Sequence, residues 1–87
     1  MIKQYHLYIS GDVQGVALRY SLAQRARLLS LFGWVKNIDN GQVEAVVQGE
    51  EEDIKRILEW LPTYTSINDI RINKENSEKF KGFEVKF

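Results

Sequence analysis

An α+β sandwich in the order strand–helix–strand–strand–helix–strand, with a short extra strand at the end, is what three features of the sequence predict. Apolar residues alternate with period two in several short runs. Two longer stretches carry them every three to four positions, and Asn40-Gly41 sits between two of the alternating runs. The whole pattern fits within 87 residues, a length that makes one domain, residues 1–87.

The elements follow in order. From Lys3 to Ser10, Tyr5, Leu7 and Ile9 alternate with Gln4, His6 and Tyr8, which predicts a half-buried strand. Gly11 to Val16 is a loop with two glycines. Leu18, Leu22, Ala26 and Leu29 then recur at helical spacing, with Ala23 beside them, and predict an amphipathic helix from about Leu18 to Phe32. Trp34–Ile38 and Gln42–Gln48 read as a hairpin, because Asn40 and Gly41 both tolerate the positive φ of a type I′ turn. A second helix runs from Glu51 to Leu61 on the stripe Ile54, Ile57, Leu58 and Leu61. Glu51, Glu52 and Asp53 suit the positive end of its dipole, and Pro62 ends it. Ile67–Asn73 is a strand, Lys74–Lys79 a polar loop, and Gly82–Phe87 a last strand on Phe83, Val85 and Phe87. Two βαβ-type crossings sharing one antiparallel sheet make a split βαβ, ferredoxin-like sandwich. Both helices are expected on one face, with the other partly open.

Composition narrows the function. The hydrophobic share is 44% and the charged share 28%, as in ordinary globular proteins. With no cysteine there is no disulfide, thiolate nucleophile or Cys-based metal site, and one histidine cannot build a multi-histidine cage. No cofactor and no metal are expected. Twelve basic residues balance twelve acidic ones, which argues against a general nucleic-acid binder. RNA-binding domains of the same element order carry stacking aromatics on the third strand, and Gln42–Gln48 has none. No apolar run approaches the ~20 residues of a membrane span, and the N-terminus turns polar too early for a signal peptide. A cytoplasmic monomer is the expectation.

The loop before the first helix carries the chemistry. Free N–H groups of a first helical turn, with the dipole behind them, make an anion site. Gly15 is expected to let successive N–H groups of residues 13–18 turn inward as a nest. Arg19 near the helix start offers a planar fork of donors that fits phosphate oxygens. On spacing alone, a glycine-rich turn with a solvated arginine fits equally well.

The stretch Gly11-x-Val13-Gln14-Gly15-Val16-x-x-Arg19 resembles the acylphosphatase signature, a glycine, then Val-Gln-Gly-Val, then an arginine three residues on. Gly33-Trp34-Val35-x-Asn37 resembles the family's second signature, and Asn40-Gly41-x-Val43-Glu44 its hairpin. The ending Phe83-Glu84-Val85-Lys86-Phe87 is of the family's type, so the resemblance covers nearly the whole chain. It departs at Leu18, where phenylalanine is usual, at Ser30 for glycine, at Asn40 for aspartate, and at Pro62-Thr63-Tyr64 in place of Gly-Pro.

The resemblance implies hydrolysis of an acyl phosphate. The amides of Val13, Gln14, Gly15, Val16, Ala17, Leu18 and Arg19, with the Arg19 guanidinium, would hold the phosphate, or another anion, and Asn37 would position the attacking water. Such a sparse site suffices chemically. A carboxylate whose conjugate acid has a pKa of about 4 leaves without protonation. Orientation and charge stabilisation then dominate phosphoryl transfer. Leu18 keeps a second reading in view, an acylphosphatase-like module that binds an anion or a partner with little or no turnover. Elsewhere, His6 reads as a partly exposed surface residue, Trp34 and Trp60 as packing residues, and Glu50–Asp53 as a helix start. The charges from Arg71 to Lys81 read as solvated surface.

Overall fold

The computed structural model describes residues 1–64 and 66–86, with the backbone alone at residue 16. Strands β1 (Ile2–Gly11), β2 (Phe32–Asn37), β3 (Val43–Glu50), β4 (Ile67–Glu75) and β5 (Phe83–Val85) form one sheet in the order β4-β1-β3-β2-β5. Helices α1 (Val16–Leu28) and α2 (Glu51–Trp60) make the crossings. The neighbours β4, β1, β3 and β2 are antiparallel, whereas β5 joins β2 in parallel, so the sheet is mixed at that edge. Phe87, expected in the last strand, lies outside the described residues. No described helix is long and apolar enough to cross a membrane.

One core lies between the sheet and both helices. Leu7 and Ile9 of β1, Val35 of β2 and Val43, Ala45 and Val47 of β3 meet Leu18, Leu22 and Ala26 of α1 and Ile54 and Ile57 of α2. These are the positions that period two and helical spacing select. Leu18, in place of the family's phenylalanine, is buried in this cluster.

Helix α1 ends earlier than the expected Phe32. Ser30 adopts φ 58°, its N–H donates to the Arg27 carbonyl (3.1 Å), and the Leu31 N–H reaches back to the Ala26 carbonyl (2.8 Å). This is the Schellman ending, built with a residue that has a Cβ where glycine is preferred. Phe32 is thereby released to start β2. Gly33, at φ 132°, needs its missing side chain, since a Cβ there would collide with the Val46 carbonyl.

The β2–β3 turn also differs from expectation. Gly41 has φ 89° but Asn40 does not have positive φ, so the turn is not type I′. The Gly41 N–H donates to the Ile38 carbonyl and the Ile38 N–H to the Gln42 carbonyl (3.1 and 3.0 Å). Asp39, Asn40 and Gly41 thus form a three-residue loop, a turn closed by a left-handed glycine. Asn40 Oδ1 accepts the Gln42 N–H (3.0 Å), a local bond that competes with the positive φ anticipated for Asn40.

The second sheet face is less open than expected. Strands β4 and β5 lie at opposite edges, so residues 76–82 must cross it. From Glu75 to Phe83 the chain extends to roughly 28 Å, and four strand spacings take up roughly 19 Å of that. Gln4 pins the crossing. Its Oε1 accepts the Glu78 N–H (2.8 Å) and a Gln48 Nε2–H (3.0 Å), while its Nε2 donates to the carboxylates of Glu75 (3.0 Å) and Glu78 (3.1 Å). Gln48 Nε2 also donates to the Glu78 carbonyl (2.5 Å). Gln4 is 1% exposed with its amide fully bonded.

Beside it, His6 is more enclosed than a surface histidine. Its Nδ1 meets Glu75 Oε2 (2.7 Å) and its Nε2 meets Glu44 Oε2 (2.6 Å), so both nitrogens donate when the ring is charged. Tyr8 stacks on the ring, Trp34 meets its edge, and Lys36 lies 3.7 Å from Glu44. Burial pulls the His6 pKa down, but the hydrogen bonds and charges of Glu75 and Glu44 outweigh it, and the pKa rises above 6.5. Glu75 moves below its usual 4.5, chiefly through the Gln4 hydrogen bond, with burial opposing and His6 adding.

Two predictions follow from these local structures. Ser30→Gly removes an exposed hydroxymethyl group and relieves the left-handed strain. It is expected to stabilise the fold by about 0.5–1 kcal/mol, read as a higher urea midpoint; an unchanged midpoint would mean that the serine is unstrained. The charged His6 contributes stability in full below pH 6.5, lost as pH rises through its raised folded value. The urea midpoint of the wild type is expected to fall over that window, and His6→Phe to flatten the fall. An identical pH profile in the variant would contradict the bridge.

Candidate active site

The segment from β1 to α1 is held by its ends and by one side chain. The Asp12 N–H donates to the Ser66 carbonyl (3.0 Å), and Val13 is buried in the core. The side chain of Gln14 reaches across to the β2–β3 turn, where Nε2 donates to the carbonyls of Ile38 (2.5 Å) and Gln42 (2.9 Å). The Gln42 side chain in turn donates to Ser10 Oγ (2.7 Å) and accepts from Asn40 Nδ2 (2.8 Å), so the turn and the end of β1 are bonded into the same network.

Gly15 is the N-cap of α1. Its φ of −75° and ψ of 163° are open to any residue, so the nest conformation expected of it is not what glycine provides here. It provides space. A Cβ built on Gly15 meets no atom within 4 Å, so the backbone can be approached closely from outside. No side chain caps α1 and its first turn holds no acidic residue, leaving its amides and dipole to attract an anion.

Arg19 follows on the next turn. It is only 8% exposed, and Nη1 lies 3.4 Å from the Lys86 carbonyl as donor. Tyr20 stands beside it, the ring centroid 5.9 Å from the guanidinium carbon. The Lys86 carbonyl is itself fixed, because the Lys86 N–H donates to the Val35 carbonyl (2.8 Å). Arg27 Nε and Nη2 both donate to the Phe83 carbonyl (3.1 and 2.8 Å) and tie β5 to α1.

Asn37 is the last residue of β2, two positions beyond Val35, and shares its face. Its Oδ1 is buried and accepts no hydrogen bond from the described residues. Asn37 is bracketed. Gln14 grips the residue after it, and Lys86, which meets Arg19, is bonded to the residue two before it. The loop, Arg19 and Asn37 converge at one end of the sheet, although 18 positions separate the two side chains in sequence. His6, Trp60 and the acidic start of α2 take no part in these contacts. Sequence reasoning did not single out the Lys86 and Gln42 carbonyls, which carry no side-chain signal, or Tyr20, whose signal was a large aromatic on the exposed flank of α1.

Comparison with known proteins places the chain in a family. The acylphosphatase family model matches residues 5–85. An acylphosphatase of Trichormus variabilis is 38% identical over 84 residues, covering 93% of this chain and 83% of that one. Among solved structures, an acylphosphatase from Coxiella burnetii superposes with a TM-score of 0.91 at 34% identity, covering 98% of this chain and 93% of that one. The acylphosphatase from Bacillus subtilis gives the same TM-score at 32% identity, with both chains covered in full. Two signature segments, a fold matched over its whole length and a family match spanning almost every residue lead to one assignment: the chain belongs to the acylphosphatase family.

Proposed function

We propose that the 87 residues work as one domain and one subunit that hydrolyses the carboxyl–phosphate bond of acyl phosphates. The phosphoryl group rests on the amides of residues 13–19 and on the Arg19 guanidinium. Asn37 Oδ1 accepts a hydrogen bond from the attacking water and aims its lone pair at phosphorus. As the water oxygen bonds to phosphorus, the bond to the acyl oxygen breaks and the carboxylate departs with that electron pair. A non-bridging phosphate oxygen takes the water's proton. The products are a carboxylate and inorganic phosphate, with no general acid required.

The observation that carries this reading is the buried Oδ1 of Asn37, which accepts no hydrogen bond from the described residues, at the sheet end that also carries Arg19 and an uncapped helix start. Each part answers one need of the reaction: charge on the phosphoryl oxygens, backbone donors in fixed positions, and a single acceptor for water. All of them come from one chain, so the scheme calls on no second subunit. Gln14 is a positioning residue, since it ties the loop to the carbonyls around Asn37.

Phosphate release from acetyl phosphate tests the scheme. Arg19→Ala and Asn37→Ala are each expected to lose ~100-fold or more in kcat, the scale of one lost transition-state donor. Arg19→Ala should also weaken inhibition by inorganic phosphate, whereas Asn37→Ala should largely spare it. A folded wild type that binds phosphate without turnover would make the chain a binding module instead. Gln14→Ala is expected to lower kcat about tenfold through misplacement, with the urea midpoint nearly unchanged because the side chain is exposed. A fall in midpoint without a fall in kcat would assign Gln14 to stability alone.

A further inference from the structure

We propose that Tyr20 is the wall against which the acyl group of the substrate rests, giving the enzyme a preference for aromatic over minimal acyl phosphates. This rests on the reading of the site as an acyl phosphate site and names the part of the substrate that reading leaves unassigned. The amides and Arg19 answer the phosphoryl group, and Asn37 the water. The acyl carbons need apolar surface, which none of these groups supplies.

Among the described residues, the exposed large apolar side chains are Met1, Ile2, Tyr20, Leu28, Phe32 and Ile72. Position along their elements separates them. Met1 and Ile2 begin β1, whose other end leads into the loop, and Ile72 is paired with Leu7 in mid-sheet on the edge strand. Leu28 lies twelve residues along α1 from its start, about 18 Å away, and Phe32 opens β2 five residues before Asn37, about 16 Å away. Tyr20 alone stands at the site end. It is 50% exposed, and its ring lies beside the guanidinium, a contact that orients the ring.

An aromatic acyl group seated beside the guanidinium meets the face or edge of a ring already held in place, whereas an acetyl group offers little to touch.

The test compares benzoyl phosphate with acetyl phosphate in the wild type, Tyr20→Ala and Tyr20→Phe. The ratio of kcat/KM for benzoyl over acetyl phosphate is expected to fall about fivefold in Tyr20→Ala, the scale of one aromatic contact. The change should appear in KM for benzoyl phosphate, and Tyr20→Phe should keep the wild-type ratio. An unchanged ratio in Tyr20→Ala overturns the proposal. So does an equal loss of kcat on both substrates with weakened phosphate inhibition, which would make Tyr20 a support for Arg19. A wild type that hydrolyses neither compound overturns the acyl phosphate reading itself, and this inference with it.

Discussion

A single buried amide, that of Gln4, holds the chain where it crosses the sheet. Because β4 and β5 lie at opposite edges, the segment between them must pass over the face that the helices leave uncovered. Such a passage brings polar backbone onto a surface that holds buried Val46, where unpaired N–H and C=O groups would be costly. Gln4 and Gln48 resolve this by supplying donors and acceptors at the centre of the crossing. The arrangement is cooperative. Removing Gln4 would strand the partners of four hydrogen bonds at once, in a region with little water to replace them. What lies beyond the crossing is β5, and with it the carbonyl that Arg19 meets.

The site depends on backbone more than its side-chain inventory suggests. Gln14 and Arg19 each project from the loop–helix segment and find main-chain oxygens of the sheet or its turns. Main-chain acceptors move only when the sheet moves, so the distance between loop and Asn37 is set by strand register and by the three-residue turn after β2. A rigid scaffold carrying a few precise donors is what a reaction dominated by orientation requires. In the proposed scheme, two side chains and a helix start supply the orientation and charge that the reaction needs.

Much of this was legible in the sequence, and what was not has physical causes. Period two located β1 and assigned its faces correctly, since one side of that strand is packed against helices, while β3 was found through the hairpin signal beside it. The edge strand β4 ran two residues further than its pattern, because Lys74 and Glu75 look like loop residues when no second layer buries them. The end of α1 was misjudged for want of a glycine, as Ser30 takes the left-handed turn without announcing it. Gln4 reads as an outward polar residue in any local window. Its burial comes from residues more than seventy positions away. Two motifs singled out Arg19, Asn37 and the loop as candidates, which the fold brings to one end of the sheet, while Gly15 was assigned a conformation it does not have. The supporting carbonyls of Lys86, Ile38 and Gln42 were invisible because every residue has one.

The route of the chain also orders events in time. Arg19 precedes the Lys86 carbonyl that it meets by 67 positions, and Asn37 too lies well before it. Strand β5 pairs with β2 through Gly33 and Phe83, and Arg19 meets the Lys86 carbonyl 67 positions away, so these contacts close long loops in the fold. Until those contacts form, Arg19 lacks the main-chain oxygen that it meets in the folded chain. That makes β5 a natural checkpoint between a chain that has merely collapsed and one whose candidate site is assembled.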